Sequence, residues 1–244
     1  YEKIGQSYAT TRREDDRVAA QVHAALGDAA TILNVGAGTG SYEPRDRVVV
    51  AVEPSPVMLR QRTDRTCLVV RGAAEALPFP GRRFDAAMAI LTVHHWTDRK
   101  AGLRELQRVS ARQVIFFFEP LKSHGFWALE YFPEAAELPV ERNAPGLLDL
   151  AEILDVRSVA PVLVPADCED GFGVAFWNRP EAYADPVVQA GMSWLALLPE
   201  ATRRRGAERL LADIGSGEWD RRHGHLRALD RFDGGYRLAI CGAA

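Results

Sequence analysis

The stretch Thr31-Ile-Leu-Asn-Val-Gly-Ala-Gly-Thr-Gly40 decides the fold, because an apolar run passes directly into three glycines at alternate positions. Such a run is typical of a β-strand that is buried on both faces, and the glycines permit a tight turn that a ligand can approach closely. A dinucleotide-binding loop would have its third glycine at residue 41, where Ser41 stands. The loop therefore favours a nucleoside without a pyrophosphate, although by itself it is also compatible with a turn that binds nothing.

Further apolar runs follow this first one, and helical patterns separate them. Apolar runs are typical of strands that alternate with helices in a parallel sheet covered on both sides. We therefore expect a doubly wound α/β unit whose ligand lies beyond the carboxyl ends of the strands. The predicted strands are Val48–Val52, 67–70, 84–91 and 113–118, and the predicted helices are 14–27, 56–61, 98–110 and one near Leu77.

The second half of the chain has a different pattern. It predicts a helix at 146–154, a sixth strand at 156–164, helical runs at 180–198, 201–214 and 218–229, and a seventh strand at 235–241. An insertion of this length before the last strand is too long for a plain loop. We therefore predict an α/β fold with a doubly wound, mostly parallel seven-stranded sheet and a helical cap inserted after strand 5 and between strands 6 and 7. The core would comprise 1–120, 146–166 and 233–244, and the cap 121–145 and 167–232.

Composition excludes several classes of protein. The chain has 244 residues, 47% hydrophobic and 26% charged, with a formal net charge of −3. These values are typical of a globular domain, and a weakly acidic chain is a poor candidate for binding nucleic acid. No apolar run approaches the roughly 20 residues that span a bilayer. The three cysteines are far apart and no signal peptide is recognisable, which favours the cytoplasm. We expect no membrane partner, and either a monomer or a homodimer.

Glu53 ends the second predicted strand, 13 residues after Gly40. A carboxylate at this place can accept hydrogen bonds from both hydroxyls of a ribose. A solvated acid in a loop is the alternative, but the position after a glycine loop favours ribose binding.

Four motifs in order resemble those of class I S-adenosylmethionine-dependent methyltransferases, specifically the small-molecule group related to the ubiquinone and menaquinone enzymes. They are Asn34–Gly40, Glu53-Pro-Ser-Pro-Val-Met58, Gly72-Ala-Ala-Glu-Ala-Leu-Pro-Phe79, and Phe84-Asp85 together with Leu91-Thr-Val-His-His-Trp96. The resemblance covers roughly residues 1–120. It implies a Rossmann-like methyltransferase fold, with S-adenosylmethionine as cofactor and S-adenosylhomocysteine as product.

The resemblance also implies roles for individual residues. Asn34, Gly36, Ala37, Gly38 and Gly40 would surround the methionine part of the cofactor, Glu53 would hold the ribose, Pro54, Met58, Ala74 and Glu75 would contact the adenine, and Leu91 would lie near the amino group. Two positions depart from the family's pattern. Ala73 stands where an acid is common, and Asn34 stands where aspartate is frequent.

The amino-terminal segment resembles one that closes over the cofactor in this group. Tyr8 and Arg12 are predicted cofactor contacts and Tyr1 a predicted substrate contact, because aromatic rings can face a sulfonium and an arginine can pair with a carboxylate. A frayed terminus with surface arginines is the alternative.

His94 and His95 follow the fourth strand, where the reactive methyl group is expected. A histidine there can deprotonate an acceptor, since its pKa lies near neutrality. Methyl transfer can also proceed without a base, by placing the nucleophile in line with the methyl group. In that case the histidines would serve only as packing residues. No cluster of acids or cysteines accompanies the pair, so no metal site is predicted.

Substrate contacts are predicted at Glu119, which ends the fifth strand, and at Trp127, Tyr131 and Trp177 in the aromatic-rich second half. Aromatic density suits an apolar or planar substrate, and equally suits a cap that buries its own core.

The function predicted from these features is methyl transfer from S-adenosylmethionine to an oxygen, nitrogen or carbon of a small molecule, such as a secondary metabolite. A regulatory protein that binds the cofactor without methyl transfer is one alternative. Cyclisation or elimination assisted by the cofactor is another. A nicotinamide dehydrogenase is disfavoured by Ser41.

Overall fold

The computed structural model describes residues 12–62, 67–120 and 125–243. Within them, seven strands form one sheet in the order β3-β2-β1-β4-β5-β9-β6. All neighbouring pairs are parallel except those of β9, which runs antiparallel to both β5 and β6. The predicted doubly wound, mostly parallel seven-stranded sheet is therefore confirmed. The strands are β1 Thr31–Val35, β2 Val48–Val52, β3 Leu68–Val70, β4 Phe84–Ile90, β5 Ser110–Phe118, β6 Val156–Pro161 and β9 Tyr236–Gly242.

Helices flank this sheet, and their ends follow local capping chemistry. Asp15 precedes α1 and its side chain accepts a hydrogen bond from the amide of Arg17, while Asp98 caps α3 through the amide of Ala101. The helices, in chain order, are α1 Asp16–Ala25, α2 Pro56–Arg60, α3 Arg99–Val109, α4 Pro139–Arg142, α5 Leu147–Ala151, α6 Pro186–Gly191, α7 Ser193–Ala196, α8 Glu200–Gly215 and α9 Glu218–His223.

Both faces of the central strands β1, β4 and β5 are buried, as the apolar runs predict. In β5, Val114 and Phe116 pack into the hydrophobic cluster that contains α1, whereas Ile115 and Phe117 pack into the cluster on the other face, with Leu106 of α3. This alternation follows from the two-residue period of a strand. A strand covered on both sides has little polar character, which explains why these strands are visible in the sequence.

Several predicted elements differ from the structure, among them the helix 218–229, which is α-helical only from Glu218 to His223. The helix near Leu77 is absent, since turns occupy this described stretch and the Leu77 amide donates to Glu105 Oε2 at 2.8 Å. The predicted strand 156–164 is interrupted after Pro161, and its last part is a separate strand β7, Val164–Pro165, that pairs with β8, Arg231–Phe232. The helical run 180–198 is divided into short helices, because Pro186 can begin a helix but cannot continue one.

The helical segments of the second half share one buried cluster with the α1 face of the sheet. Trp177, Tyr183 and Trp194 belong to the same cluster as Ile32 and Phe116. The division into a core and a cap stays a prediction. No helix in the described part of the chain combines the length and the apolar character needed to cross a membrane.

Candidate active site

A cavity of about 420 Å³ lies at the carboxyl ends of β1, β2 and β4. Four pieces of the chain form most of its walls: the glycine loop after β1, the turn from Glu53 to Met58 after β2, residues 73–75, and residues 90–97 at the end of β4. This is the edge at which ligands bind to open α/β sheets.

The glycine loop has a backbone that only glycine adopts easily. Gly36, Gly38 and Gly40 have φ values of 70°, 53° and 96°. The amides of Gly36 and Ala37 both donate to the carbonyl of Val52, at 2.8 and 3.0 Å, which holds the loop over the end of β2. A Cβ at Gly36 would lie 2.1 Å from Thr92 Oγ1, so the loop also leaves no room for a side chain there.

Glu53 is 6% exposed and lines the cavity. Its Oε2 accepts a hydrogen bond from the Gly38 amide at 2.9 Å, and its Oε1 accepts one from the Ser55 amide at 2.8 Å. The two bonds fix the carboxylate between the glycine loop and α2. Since each carboxylate oxygen has a further lone pair, both can still accept a hydroxyl from a ligand.

Asn34 lies in the cavity wall beneath the glycines and is 1% exposed. Its Nδ2 donates to Glu43 Oε1 at 2.9 Å, and Glu43 is in turn paired with the buried Arg62 at 2.5 Å. This arrangement directs the amide nitrogen away from the cavity. Asn34 Oδ1 has no hydrogen-bond partner among the described residues, so the site contains a buried acceptor that a ligand's N–H group could satisfy.

The opposite end of the cavity is less polar. Pro54, Met58, Ala73 and Ala74 line it. Glu75 also lines the cavity, and its Oε1 accepts hydrogen bonds from the amides of Thr97 and Asp98 at 2.8 and 3.1 Å. These bonds join residues 73–75 to the segment that follows β4. An apolar lining with a few hydrogen-bonding groups beside it suits a purine ring.

Comparisons with known proteins agree with this geometry. A family model described as a methyltransferase domain matches residues 33–118. A crystal structure from Anabaena variabilis, named as a methyltransferase from an antibiotic biosynthesis pathway, superposes with a TM-score of 0.86 at 32% identity and covers 96% of this chain and 99% of the other. This chain belongs to the class I S-adenosylmethionine-dependent methyltransferases.

Two curated relatives match over shorter stretches. A malonyl-[acyl-carrier protein] O-methyltransferase of Erwinia pyrifoliae is 34% identical over 102 residues, which cover 38% of this chain and 39% of the relative. A 2-methyl-6-phytyl-1,4-hydroquinone methyltransferase of Oryza sativa is 25% identical over 115 residues, which cover 42% of this chain and 32% of the relative. The matches thus span less than half of these two relatives. The second is consistent with the relation to quinone methyltransferases.

A second, smaller cavity of about 50 Å³ adjoins the first in this methyltransferase. Arg12, Leu91 and His95 line both cavities, so the two meet at the end of β4. Leu91 has a φ of 49°, a conformation that is rare for a residue with a side chain and is concentrated at functional sites. The remaining walls of the second cavity come from distant segments and include His94, Phe118, Glu141, Phe172, Trp194 and Tyr236.

Arg12 is held between the cavities by a buried carboxylate. Its Nε and Nη2 donate to the two oxygens of Asp170, at 2.5 and 3.2 Å, and the Tyr42 hydroxyl donates to Oδ2 of the same residue at 2.5 Å. Asp170 is 1% exposed. We call Arg12, Tyr42 and Asp170 the clamp; it ties the amino-terminal segment, the glycine loop and the second half of the chain together.

The adjacent histidines have unusual acid–base properties. Their ring centroids are 3.8 Å apart, and the His94 ring also contacts Phe118 edge to face at 4.9 Å. Desolvation among protein atoms lowers the pKa of His94 well below its usual value and lowers the pKa of His95 to about 4, although His95 is an exposed residue and His94 a half-buried one. Both rings are therefore neutral at pH 7 and can accept a hydrogen bond, but a base with this pKa binds a proton only weakly.

The lowered pKa of His95 predicts acid sensitivity. The unfolded chain takes up a proton near the ordinary histidine pKa of about 6.5, whereas the folded chain keeps His95 neutral until about pH 4. The free energy of unfolding should therefore fall as the pH drops from 6.5 towards 4, and urea midpoints at several pH values measure this. His95→Gln should flatten the decline, while His225→Gln, at an exposed position, should not. Equal slopes in all three proteins would contradict the prediction.

Most of the residues predicted to bind the cofactor line the first cavity. They are Arg12, Asn34, Gly36, Ala37, Gly38, Glu53, Pro54, Met58, Ala74, Glu75 and Leu91. Gly40 is not among the lining residues; its amide closes the turn by donating to the Ala37 carbonyl at 2.9 Å. Tyr1 and Tyr8 lie outside the described residues. Of the histidines, His95 lines both cavities and His94 lines the second.

The four predicted substrate residues that the structure describes line neither cavity. The Trp127 indole N–H donates to the Trp177 carbonyl at 2.8 Å, and the Trp177 N–H donates to the Val164 carbonyl at 3.1 Å. Tyr131 donates to Asp213 Oδ2, and Glu119 pairs with Arg237 at 2.9 Å. The three aromatic residues are buried packing groups, which gives no support to their predicted role as substrate contacts.

Several lining residues were missed by reasoning from sequence. Ser41 and Tyr42 follow the glycine loop directly, and Thr92, Trp96 and Thr97 flank the histidines, so adjacency to the motifs could have indicated them. Arg71 follows β3, and its place at a strand's carboxyl end was an available signal. Glu141, Phe172, Trp194 and Tyr236 share no motif, and only the general aromatic density of the second half pointed in their direction.

Proposed function

We propose that this chain transfers a methyl group from S-adenosylmethionine to a nucleophile of a small molecule by in-line displacement. The observation that carries the proposal is the meeting of two cavities at Leu91 and His95, of which the larger has the donors and acceptors of a nucleoside site. The residues present fit the cofactor. Asn34 Oδ1 is a buried acceptor that has no partner among the described residues, and the positive φ values of Gly36 and Gly38 keep the loop backbone free of side chains where it lines the cavity.

Each part of the cofactor has a place in this arrangement. Asn34 and the glycine loop would receive the methionine part, Glu53 would accept from the ribose hydroxyls, and Pro54 and Met58 would cover the adenine. Bound S-adenosylmethionine would supply an electrophilic methyl group on a positively charged sulfur. The protein's own contribution is to hold the acceptor in line at the junction of the cavities and to exclude water there.

The neutral histidines fit a positioning role better than a strong general base. With a pKa of about 4, His95 can accept a hydrogen bond from an acceptor's N–H or O–H group and so direct its lone pair. The proton that the acceptor loses on methylation would then pass to solvent and not remain on a histidine. We further propose that the acceptor is a small metabolite, that the protein acts in the cytoplasm, and that it is a monomer or a homodimer.

Calorimetry with S-adenosylhomocysteine tests the cofactor site, and the mass of the product tests the reaction. Methylation adds one CH₂ to the acceptor, whereas cyclisation leaves its mass unchanged. Binding without turnover across many acceptors would favour a regulatory protein. Absence of binding would overturn the proposal.

Glu53→Gln should weaken binding of S-adenosylhomocysteine roughly 10-fold to 100-fold, because it replaces charge-assisted hydrogen bonds to the ribose with neutral ones. The amide also places an N–H₂ group against the Gly38 or Ser55 amide, each of which now donates to the carboxylate. Calorimetry measures the change. Glu152→Gln, an exposed glutamate paired with Lys100 away from the cavity, serves as the control and should bind normally. Unchanged affinity in Glu53→Gln would argue against a ribose at this carboxylate.

A further inference from the structure

A buried ion pair lies behind the glycine loop, outside the wall of the first cavity. Glu43 stands three residues after Gly40, and Arg62 stands two residues after the end of α2. Their side chains are 10% and 4% exposed, and Arg62 Nη2 lies 2.5 Å from Glu43 Oε2. Since neither residue lines a cavity, any effect of the pair on a ligand has to pass through another residue.

That residue is Asn34, whose carboxamide the pair holds at one end. Asn34 Nδ2 donates to Glu43 Oε1 at 2.9 Å, while Oε2 of the same carboxylate accepts from Arg62. An ion-paired carboxylate offers acceptors only, so the end of the carboxamide that faces it has to be the NH₂ group. Glu43 therefore determines which way round the Asn34 amide is held.

The other end of the carboxamide is left for a ligand. Asn34 lines the first cavity and is 1% exposed, and its Oδ1 has no hydrogen-bond partner among the residues that the structure describes. A buried acceptor without a partner is unfavourable, and a ligand that supplies an N–H group removes that penalty. The cavity thus presents an acceptor in a fixed orientation.

The guanidinium of Arg62 is itself held in place by two segments. A Cβ at Gly40 would lie 3.0 Å from both Nη1 and Nη2 of Arg62, so the guanidinium packs directly against the last glycine of the loop. Arg62 Nη2 also donates to Cys67 Sγ at 2.9 Å, immediately before β3. The position of the Glu43 carboxylate therefore depends on the glycine loop and on the segment that enters β3.

We infer that Glu43 is a positioning residue for the cofactor site: held by Arg62, it turns the Asn34 oxygen towards the cavity, where that oxygen recognises the amino group of the cofactor's methionine part. This inference rests on the proposed function and assigns a role to two residues outside the cavity wall. A carboxamide without this partner could present either end to the ligand, and its NH₂ end would place donors against an ammonium group, which also has donors only.

The variant Glu43→Gln should reverse the amide. The glutamine oxygen would stay on Arg62, which has donors only, so the glutamine NH₂ group would face Asn34 and draw the Asn34 oxygen away from the cavity. Calorimetry should then show the Kd for S-adenosylhomocysteine raised by roughly 10-fold or more. The Kd for the analogue in which hydrogen replaces the amino group should change by no more than about 3-fold. An equal loss for both ligands, or an unchanged Kd for S-adenosylhomocysteine, would overturn the inference.

Moving the charge from one residue to the other provides the rescue. With Asn34→Asp added to Glu43→Gln, the glutamine NH₂ group donates to one carboxylate oxygen and the other oxygen faces the cavity again. The net charge of the network is unchanged. This double variant should bind S-adenosylhomocysteine within about 3-fold of the unaltered protein, or more tightly. Continued weak binding would overturn the inference. The double variant also decides if Glu43→Gln alone does not fold, because every donor in it keeps an acceptor.

A control and the unaltered protein separate this inference from the proposed function. Glu152→Gln, the same substitution at an exposed residue paired with Lys100, should leave both affinities unchanged. Failure of the unaltered protein to bind S-adenosylhomocysteine would count against methyl transfer as such. Normal binding in the unaltered protein, together with an unaffected Glu43→Gln, would count only against the positioning role of Glu43.

Discussion

Gly36→Ala should reduce the affinity for S-adenosylhomocysteine more than 100-fold. Gly36 has a φ of 70°, and an added Cβ would lie 2.1 Å from Thr92 Oγ1 and 2.9 Å from both Cβ and Cγ2 of that residue. The left-handed conformation costs about 1–2 kcal/mol for a residue with a side chain. Neither the overlap nor the strain can be relieved locally, because the Gly36 amide is bonded to the Val52 carbonyl and Thr92 is 9% exposed. The loop must shift, and with it the backbone that faces the ligand.

A control variant separates the effect of backbone strain from the effect of the steric clash with Thr92. Gly217 also has a positive φ, 79°, but a Cβ there meets nothing within 4 Å. Gly217→Ala should therefore lose about 1–2 kcal/mol of stability and keep its affinity for S-adenosylhomocysteine. Adding Thr92→Ala to Gly36→Ala removes the two atoms Oγ1 and Cγ2 and should restore part of the lost stability. Calorimetry measures the affinity for S-adenosylhomocysteine, and urea unfolding measures the stability. An unimpaired affinity in folded Gly36→Ala would show that the loop does not face the cofactor.

The sheet could be predicted because burial on both faces removes polar residues from a strand. β1, β2 and β4 are uninterrupted apolar runs apart from Asn34 and Asp85, and each was recognised to within one residue. β5 begins at Ser110, three residues before the predicted start, because the polar Ser110 and Arg112 hide the strand pattern. Arg112 is accommodated there because its Nη1 donates to the Ala25 carbonyl at 3.1 Å, a contact that only the folded chain supplies.

The turns around Leu77, in contrast, could not be predicted from the local sequence. The stretch between two predicted strands suggested a further helix near Leu77, but Pro78, Pro80 and Gly81 follow it closely. Proline removes amide donors, and the residue before a proline avoids helical backbone. The buried Leu77 is positioned instead by Glu105 of α3, 28 residues away. A distant partner of this kind leaves no local pattern.

The first cavity could be predicted from the sequence and the second could not, because only the first is formed by residues that are close together in the sequence. The first is built by contiguous motifs at strand ends, so Gly36, Glu53 and Leu91 could be assigned from their places in the sequence. The second is assembled from segments as distant as Phe118 and Tyr236, and no spacing links them. Aromatic density alone suggested Trp127 and Trp177, whose indole N–H groups both bond to backbone carbonyls in the interior. An aromatic residue has the same appearance in sequence whether it packs a core or lines a pocket.

The largest loss of stability is expected from Asp170→Ala. Asp170 is 1% exposed and accepts from both Arg12 and the Tyr42 hydroxyl. Removing one partner of a buried ion pair costs about 3–5 kcal/mol, because the remaining charge stays in a medium that solvates it poorly. Asp167→Asn, three residues earlier at an exposed pair with Arg17, should cost no more than about 1 kcal/mol. Urea unfolding compares the two variants directly.

The clamp should also affect the site, and a second variant distinguishes that effect from instability. Arg12 lines both cavities, so a guanidinium freed from Asp170 should raise the KM for the acceptor. Replacing both partners, as Arg12→Met with Asp170→Leu, removes the buried charges together and should recover much of the stability without recovering the KM. Tyr42→Phe, which removes a single hydrogen bond to the same carboxylate, should cost about 1–2 kcal/mol. If the double variant regained a normal KM, the clamp would serve stability alone, because the position of the Arg12 charge would then be irrelevant to the acceptor.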